Sequence, residues 1–179
     1  NLLWEPPGVV PNMMGTAMIA KIYGTEYTSW VAPRQSLTKA GVMSGFEIDR
    51  PLPHKIFFFI TKGMNRYNDR DKQTYGPAEK TDRIIQLKAL TTWAGWYMLK
   101  EKQMGTLEPG KWADYIVLDR DYFTIPEGEI TSAIPLATFL NGKETVLRKE
   151  LADEWGVQPI GPQLNFKFAT EFASGGGEG

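Results

Sequence analysis

The run GTLEPGKWADYIVLDRD, residues 105–121, decides how this chain is read. Pro109-Gly110 is a turn signal, because proline presets one turn dihedral and glycine accepts a positive φ at the next. Residues 113–118 are then β-branched and aromatic enough for a strand, and Asp119-Arg120-Asp121 ends it with charge. The expectation is a corner feeding one unbroken buried strand. Downstream, residues 134–140 and 145–147 flank Asn141-Gly142, a pair suited to a two-residue type I′ turn, so a hairpin should follow the strand. No internal repeat of fixed period occurs, and the chain closes on a Gly-rich tail, SerGlyGlyGlyGluGly.

Upstream, the apolar positions Ile84, Leu87, Leu90, Ala94 and Met98 recur every three or four residues, with Thr81 and Asp82 as capping candidates. This predicts a helix from Thr81, with a break near Gly95. Residues 65–80 read as a charged surface loop. Residues 55–64, with three Phe and two Ile, suit a buried helix or a strand, and length with Pro53 favours the helix. Pro33 opens a short helix over residues 34–39 that Gly41 stops, and a strand is expected over residues 42–48, ending at Asp49-Arg50 and Pro51. Helix, glycine, strand and polar tip form half of a βα-barrel repeat. The first 33 residues carry so many Pro and Gly that only a short helix over residues 16–23 fits.

Composition narrows the function classes. The 179 residues are 42% apolar and 12% aromatic, enough for a packed core, yet a complete eight-stranded α/β barrel needs roughly 250. A net charge of -1 offers no broad basic face, which argues against nucleic acid. Zero cysteines exclude disulfides and thiolate metal sites. The apolar run at residues 55–60 is far too short to span a membrane, so no membrane partner is expected. A start at Asn1 suggests a processed or truncated terminus, and a cytoplasmic location is expected.

Chemistry-bearing residues are few. His54 is the one histidine, it sits between Pro53 and Lys55, and no nucleophile elbow, P-loop or dinucleotide fingerprint occurs. Glu47 and Asp49 remain. Two residues apart on one strand, they would share a face. Either they point to one mouth, or Asp49 caps the following turn and Glu47 is solvated.

The opening stretch resembles a known family. Members of the metal-dependent amidohydrolase superfamily, in the branch called amidohydrolase family 3, carry a C-terminal run of the form G-S-L-E-P-G-K-x-A-D followed by apolar residues and L-D-R-D. Here Gly105 to Lys111, Ala113-Asp114 and Val117 to Asp121 match it. The family's preceding helix is matched at Leu87-Lys88, Thr91 and Ala94-Gly95. Residues 34–51 resemble the family's L-R-S-L-L-D-A-G-V-x-x-x-x-G-S-D-x-P, with the same eight steps from Gly41 to Asp49. Where the family has Gly-Ser before that Asp, this chain has Glu47-Ile48.

The resemblance implies an α/β fold: the C-terminal portion of a TIM-like (β/α)8 amidohydrolase barrel plus strands of a small β-sandwich domain, completed by another chain. Residues 1–104 would be the barrel portion, 105–150 the sandwich contribution and 151–179 a C-terminal extension. It implies Asp49 as metal ligand and general base, with Glu47, Arg50 and His54 near substrate. The family's histidine ligands are lacking, so the divalent ion, zinc foremost, would be shared with a larger amidohydrolase-like subunit. The implied reaction is hydrolysis of an amide, carbamate or similar C–N bond in a small molecule. The alternative is a non-catalytic binding or scaffold module. Left without a partner, the strand at 113–118 would be an aggregation hazard. Trp93, Trp96 and Tyr97 are expected to pack in the core, one or two of Phe57, Phe58 and Phe59 to line a pocket or interface, and Arg66 to match a family arginine or to form a surface ion pair.

Overall fold

A computed structural model describes residues 14–45, 56–68 and 72–164. Helix α1 runs Met14–Ser29, longer than the sequence suggests, because the chain leaves helical geometry at Gly24 (φ 87°, ψ 160°) and resumes beyond it. Helix α2, Arg34–Lys39, follows Pro33 as expected, and α3 spans Ile56–Asn65. Residues 42–45 form no strand, which corrects that part of the expected strand; its remainder, 46–48, lies outside the described residues.

The stretch read as a surface loop is a structured unit. Strands β1 (Tyr67–Asn68) and β2 (Gln73–Thr74) pair antiparallel, and a 3-10 turn at Pro77–Glu79 follows. Its charge is misleading: Arg66, Asn68, Tyr75 and Glu79 are buried. Helix α4, Arg83–Leu90, begins where expected, with the Asp82 side chain accepting from the Ile85 N–H at 2.8 Å. The predicted break comes earlier than Gly95, at Thr91 (φ -119°, ψ -88°), so that α5, Thr92–Tyr97, starts a new helical phase. That shift corrects the aromatic cluster: Trp96 and Tyr97 are exposed rather than packed.

The opening stretch forms its corner and strand. Gly110 takes φ 90°, and β3 is Tyr115–Leu118. A 3-10 turn at Glu127–Ser132 leads into β4 (Pro135–Leu140) and β5 (Lys143–Leu147). The order is β3-β4-β5, antiparallel throughout. Asn141 and Gly142 both take positive φ (49° and 76°), as a type I′ hairpin turn requires. The charged residues that end β3 fix the chain: Asp119 accepts from the Ile134 N–H, and Asp121 accepts from Phe123 N–H and Thr124 Oγ1, both at 2.8–2.9 Å. The strand is not wholly buried. Tyr115 and Ile116 are exposed because β3 is an edge strand, although the Tyr115 ring stacks on its cross-strand partner Phe139 at 4.4 Å.

Two apolar clusters hold these elements. Phe57, Ile60 and Met64 of α3 pack with Tyr122, Ile130 and Ala133, so α3 is clasped by the chain beyond β3. Burying a Phe, Ile or Met side chain of this cluster contributes about 1.5–3 kcal/mol. Helix α6, Lys149–Trp155, lays Leu151 and Ala152 over Ala137 and Leu147 and covers one sheet face. Among the described residues no helix is long and apolar enough to cross a membrane.

Candidate functional site

Glu47, Asp49, Arg50 and His54 all lie outside the described residues, within the segment 46–55. What the structure brings together is the frame on either side of it: residues up to Gly45, and α3 from Ile56 onward. Phe57 and Phe59 of α3 face the interior, while Phe58 is half-buried with the Lys62 ammonium 5.2 Å from its ring.

Before the segment, the frame is made of buried charge. Arg34, at the first turn of α2, is fully buried. Its Nη1 donates to the Ser44 carbonyl (2.5 Å) and to Ser44 Oγ (2.8 Å), and its Nη2 donates to the Gly45 carbonyl (2.8 Å). One planar guanidinium thus holds two successive carbonyls, which its forked donors suit and a lysine's would not. Burial lowers its pKa to about 10, so it stays charged at neutral pH.

Helix α2 is fixed in turn by Glu79. One carboxylate oxygen accepts from the Ser36 N–H at 2.9 Å, the other from the Ser36 hydroxyl, which caps the helix start with a full negative charge. A second guanidinium completes the frame. Arg66 is fully buried and donates to Tyr75 O (2.6 Å), Ala32 O (2.9 Å) and Val31 O (2.7 Å). It ties the β1–β2 unit to the elbow between α1 and α2. Burial lowers its pKa to about 10, and the nearby Glu79 charge opposes that shift. Arg66 is therefore not a surface ion pair.

Sequence reasoning missed both arginines as structural centres. No local pattern marks them, since their acceptors, main-chain carbonyls and the Ser44 hydroxyl, lie 9 to 35 positions away. The described residues do not by themselves fit a metal ion. Among them no group of three or more His, Cys, Asp or Glu side chains could hold one.

The family model described as "Amidohydrolase family" matches residues 2–146, from near the start of the chain to the last residue but one of β5. None of the curated proteins matches. Among solved structures, an amidohydrolase from Thermotoga maritima MSB8 is similar at 19% identity and a TM-score of 0.47, over 80% of this chain. The chain spans 36% of that protein's length. The family match covers most of the sequence, and the chain belongs to the amidohydrolase family.

Proposed function

We propose that this chain is the smaller part, as subunit or fragment, of a metal-dependent amidohydrolase that hydrolyses an amide, carbamate or similar C–N bond of a small molecule. The family match over residues 2–146 carries the reading, because it includes Asp49 together with the spacing that leads to it. Residues 1–104 are assigned to the end of a TIM-like barrel, 105–150 to a small sandwich domain and 151–179 to an extension. The exposed edge of β3 supports a strand from elsewhere completing that sandwich.

In this reading Asp49 accepts the proton of the attacking water as its oxygen adds to the carbonyl carbon. The same carboxyl then returns the proton to the departing nitrogen as the tetrahedral adduct collapses and the C–N bond breaks. A positioned carboxylate of this kind contributes about 10²–10⁴-fold. Glu47, Arg50 and His54 are assigned to the substrate side. The histidine ligands, and with them the divalent ion, zinc foremost, are assigned to a larger amidohydrolase-like subunit. The location is assigned to the cytoplasm.

The test is hydrolysis of three probes, a p-nitroanilide, an aryl carbamate and an N-acyl amino acid, by the protein assembled with the subunit that co-purifies with it. The expected result is turnover of at least one probe, and loss of about three orders of magnitude in kcat on Asp49→Asn. A folded assembly that turns over none of them, or an Asp49→Asn variant with undiminished kcat, overturns the reading.

A further inference from the structure

We propose that residues 157–164 are an edge guard: they close the β5 side of the sheet against strand addition by a second copy of the chain, and so reserve β3 as the edge that receives a strand. The inference rests on the sheet alone and not on the hydrolase reading. In the order β3-β4-β5 both outer strands are edges, and an open edge is a template for pairing with another chain. Tyr115 and Ile116 leave β3 exposed, whereas β5 is covered. The covering segment lies beyond residue 146, where the family match ends, so that match does not account for it.

The cover is held at several points. Beyond α6 the chain turns at Gly156 (φ 67°) and comes back along β5. The Leu147 N–H donates to the Ile160 carbonyl at 2.9 Å, and the Ile160 N–H donates to the Leu147 carbonyl at 3.0 Å, a closed antiparallel pair. Gly161 lies against the strand two residues further back: a Cβ there would stand 2.6 Å from the Thr145 carbonyl oxygen, and its φ of 68° favours glycine as well. Gln163 latches the return. Its Oε1 accepts from the Lys149 N–H at 2.9 Å, and its amide nitrogen donates among the carbonyls of Leu147 (3.1 Å), Ile160 (3.3 Å) and Gly161 (3.2 Å). Arg148 Nη1 adds a bond to the Leu164 carbonyl at 2.6 Å.

The cover is also a poor edge itself. Pro159 and Pro162, on either side of Ile160-Gly161, have no N–H to offer a further strand, and the Gly161 carbonyl is taken by Gln163. A short segment flanked by prolines ends a sheet rather than extending it. A second copy is the occupant it keeps out, because two uncovered β5 edges can meet antiparallel about a two-fold axis, each satisfying the other's main-chain groups.

The experiment uses the full chain carrying Ile116→Lys, which sets a charge on the β3 edge and blunts pairing there. Gln163→Ala, which removes the latch at an exposed position, and Gly161→Ala, which brings a methyl against Thr145, are added separately. Amide exchange at Leu147 and sedimentation over a concentration series are read for each. Exchange at Leu147 should quicken about tenfold or more in both variants, since several hydrogen bonds are lost and each contributes roughly a factor of 2–10. Both variants should then self-associate as concentration rises, with Leu147 exchange slowing again in the associated species, while the Ile116→Lys parent shows neither change. Unchanged Leu147 exchange in both variants overturns the inference, because the contacts named then do not hold the cover. Fast exchange without association overturns it too, and so does association without renewed protection at Leu147, which places the contact elsewhere.

Discussion

Replacing Gly76 by alanine tests the elbow clamp directly. Gly76 sits at φ 58°, ψ 59°, between β2 and the 3-10 turn. A Cβ built there would stand 2.4 Å from the Ser29 carbonyl oxygen and 3.1 Å from Arg66 Nη2. Two costs add. The left-handed conformation costs an alanine roughly 1–2 kcal/mol. The contact with a main-chain oxygen cannot be relieved by a rotamer change, so the β1–β2 unit must move away from α1. Overpacking of that kind costs about 1–3 kcal/mol, and the Arg66 bonds to Val31 and Ala32 loosen with it. The sum is about 2–5 kcal/mol, a large share of the 5–15 kcal/mol typical of a folded domain. Gly156 provides the comparison, since it takes a similar conformation (φ 67°, ψ 31°) after α6 with nothing within 4 Å of its would-be Cβ. Gly156→Ala should therefore cost only the conformational part, roughly 1–2 kcal/mol. Urea unfolding of the two variants measures the difference. Equal destabilisation would refute the close approach of Gly76 to α1.

Other outcomes follow from the same structure. Glu79→Gln should destabilise by about 1.5–3 kcal/mol, the range for hydrogen bonds to a charged group, with faster amide exchange at Ser36; unchanged exchange there would remove the cap. Ile130→Ala should cost about 2–5 kcal/mol and Ile116→Ala within about 0.5, because Ile130 is in the core and Ile116 is on the exposed edge. Burial pushes the Tyr122 hydroxyl up to about 12, and it donates to the Arg83 carbonyl at 2.9 Å. The unfolded chain then loses this proton first, so the stabilisation is complete below pH 10 or so and declines as pH rises toward 12. Tyr122→Phe should flatten stability across that window, and a decline of the same slope in the variant would assign it to other groups.

How much was legible depended on whether the cause was local. Asp82 caps α4, Pro33 precedes α2 and Asn141-Gly142 turns the hairpin, and in each case the residues that dictate the geometry are neighbours in sequence. The hairpin unit at residues 67–80 was hidden because its charges suggested solvent, whereas Arg66 and Glu79 are buried against partners 34 and 43 positions away. The exposure of Trp96 and Tyr97 was hidden for another reason. A single non-helical residue, Thr91, resets the helical phase, and side-chain periodicity does not announce it. For the candidate site, the spacing from Gly41 to Asp49 and the family resemblance were readable, while the arginine that holds Ser44 and Gly45 needed three dimensions.

Both buried guanidiniums recognise carbonyls, and every amino acid supplies a carbonyl. The side chains at Val31, Ala32, Gly45 and Tyr75 are therefore not what Arg34 and Arg66 read. Mutational drift at the gripped positions is tolerated so far as packing allows, whereas drift at either arginine removes several bonds at once. A scaffold fastened this way separates the residues that define its shape from those that are free to diversify.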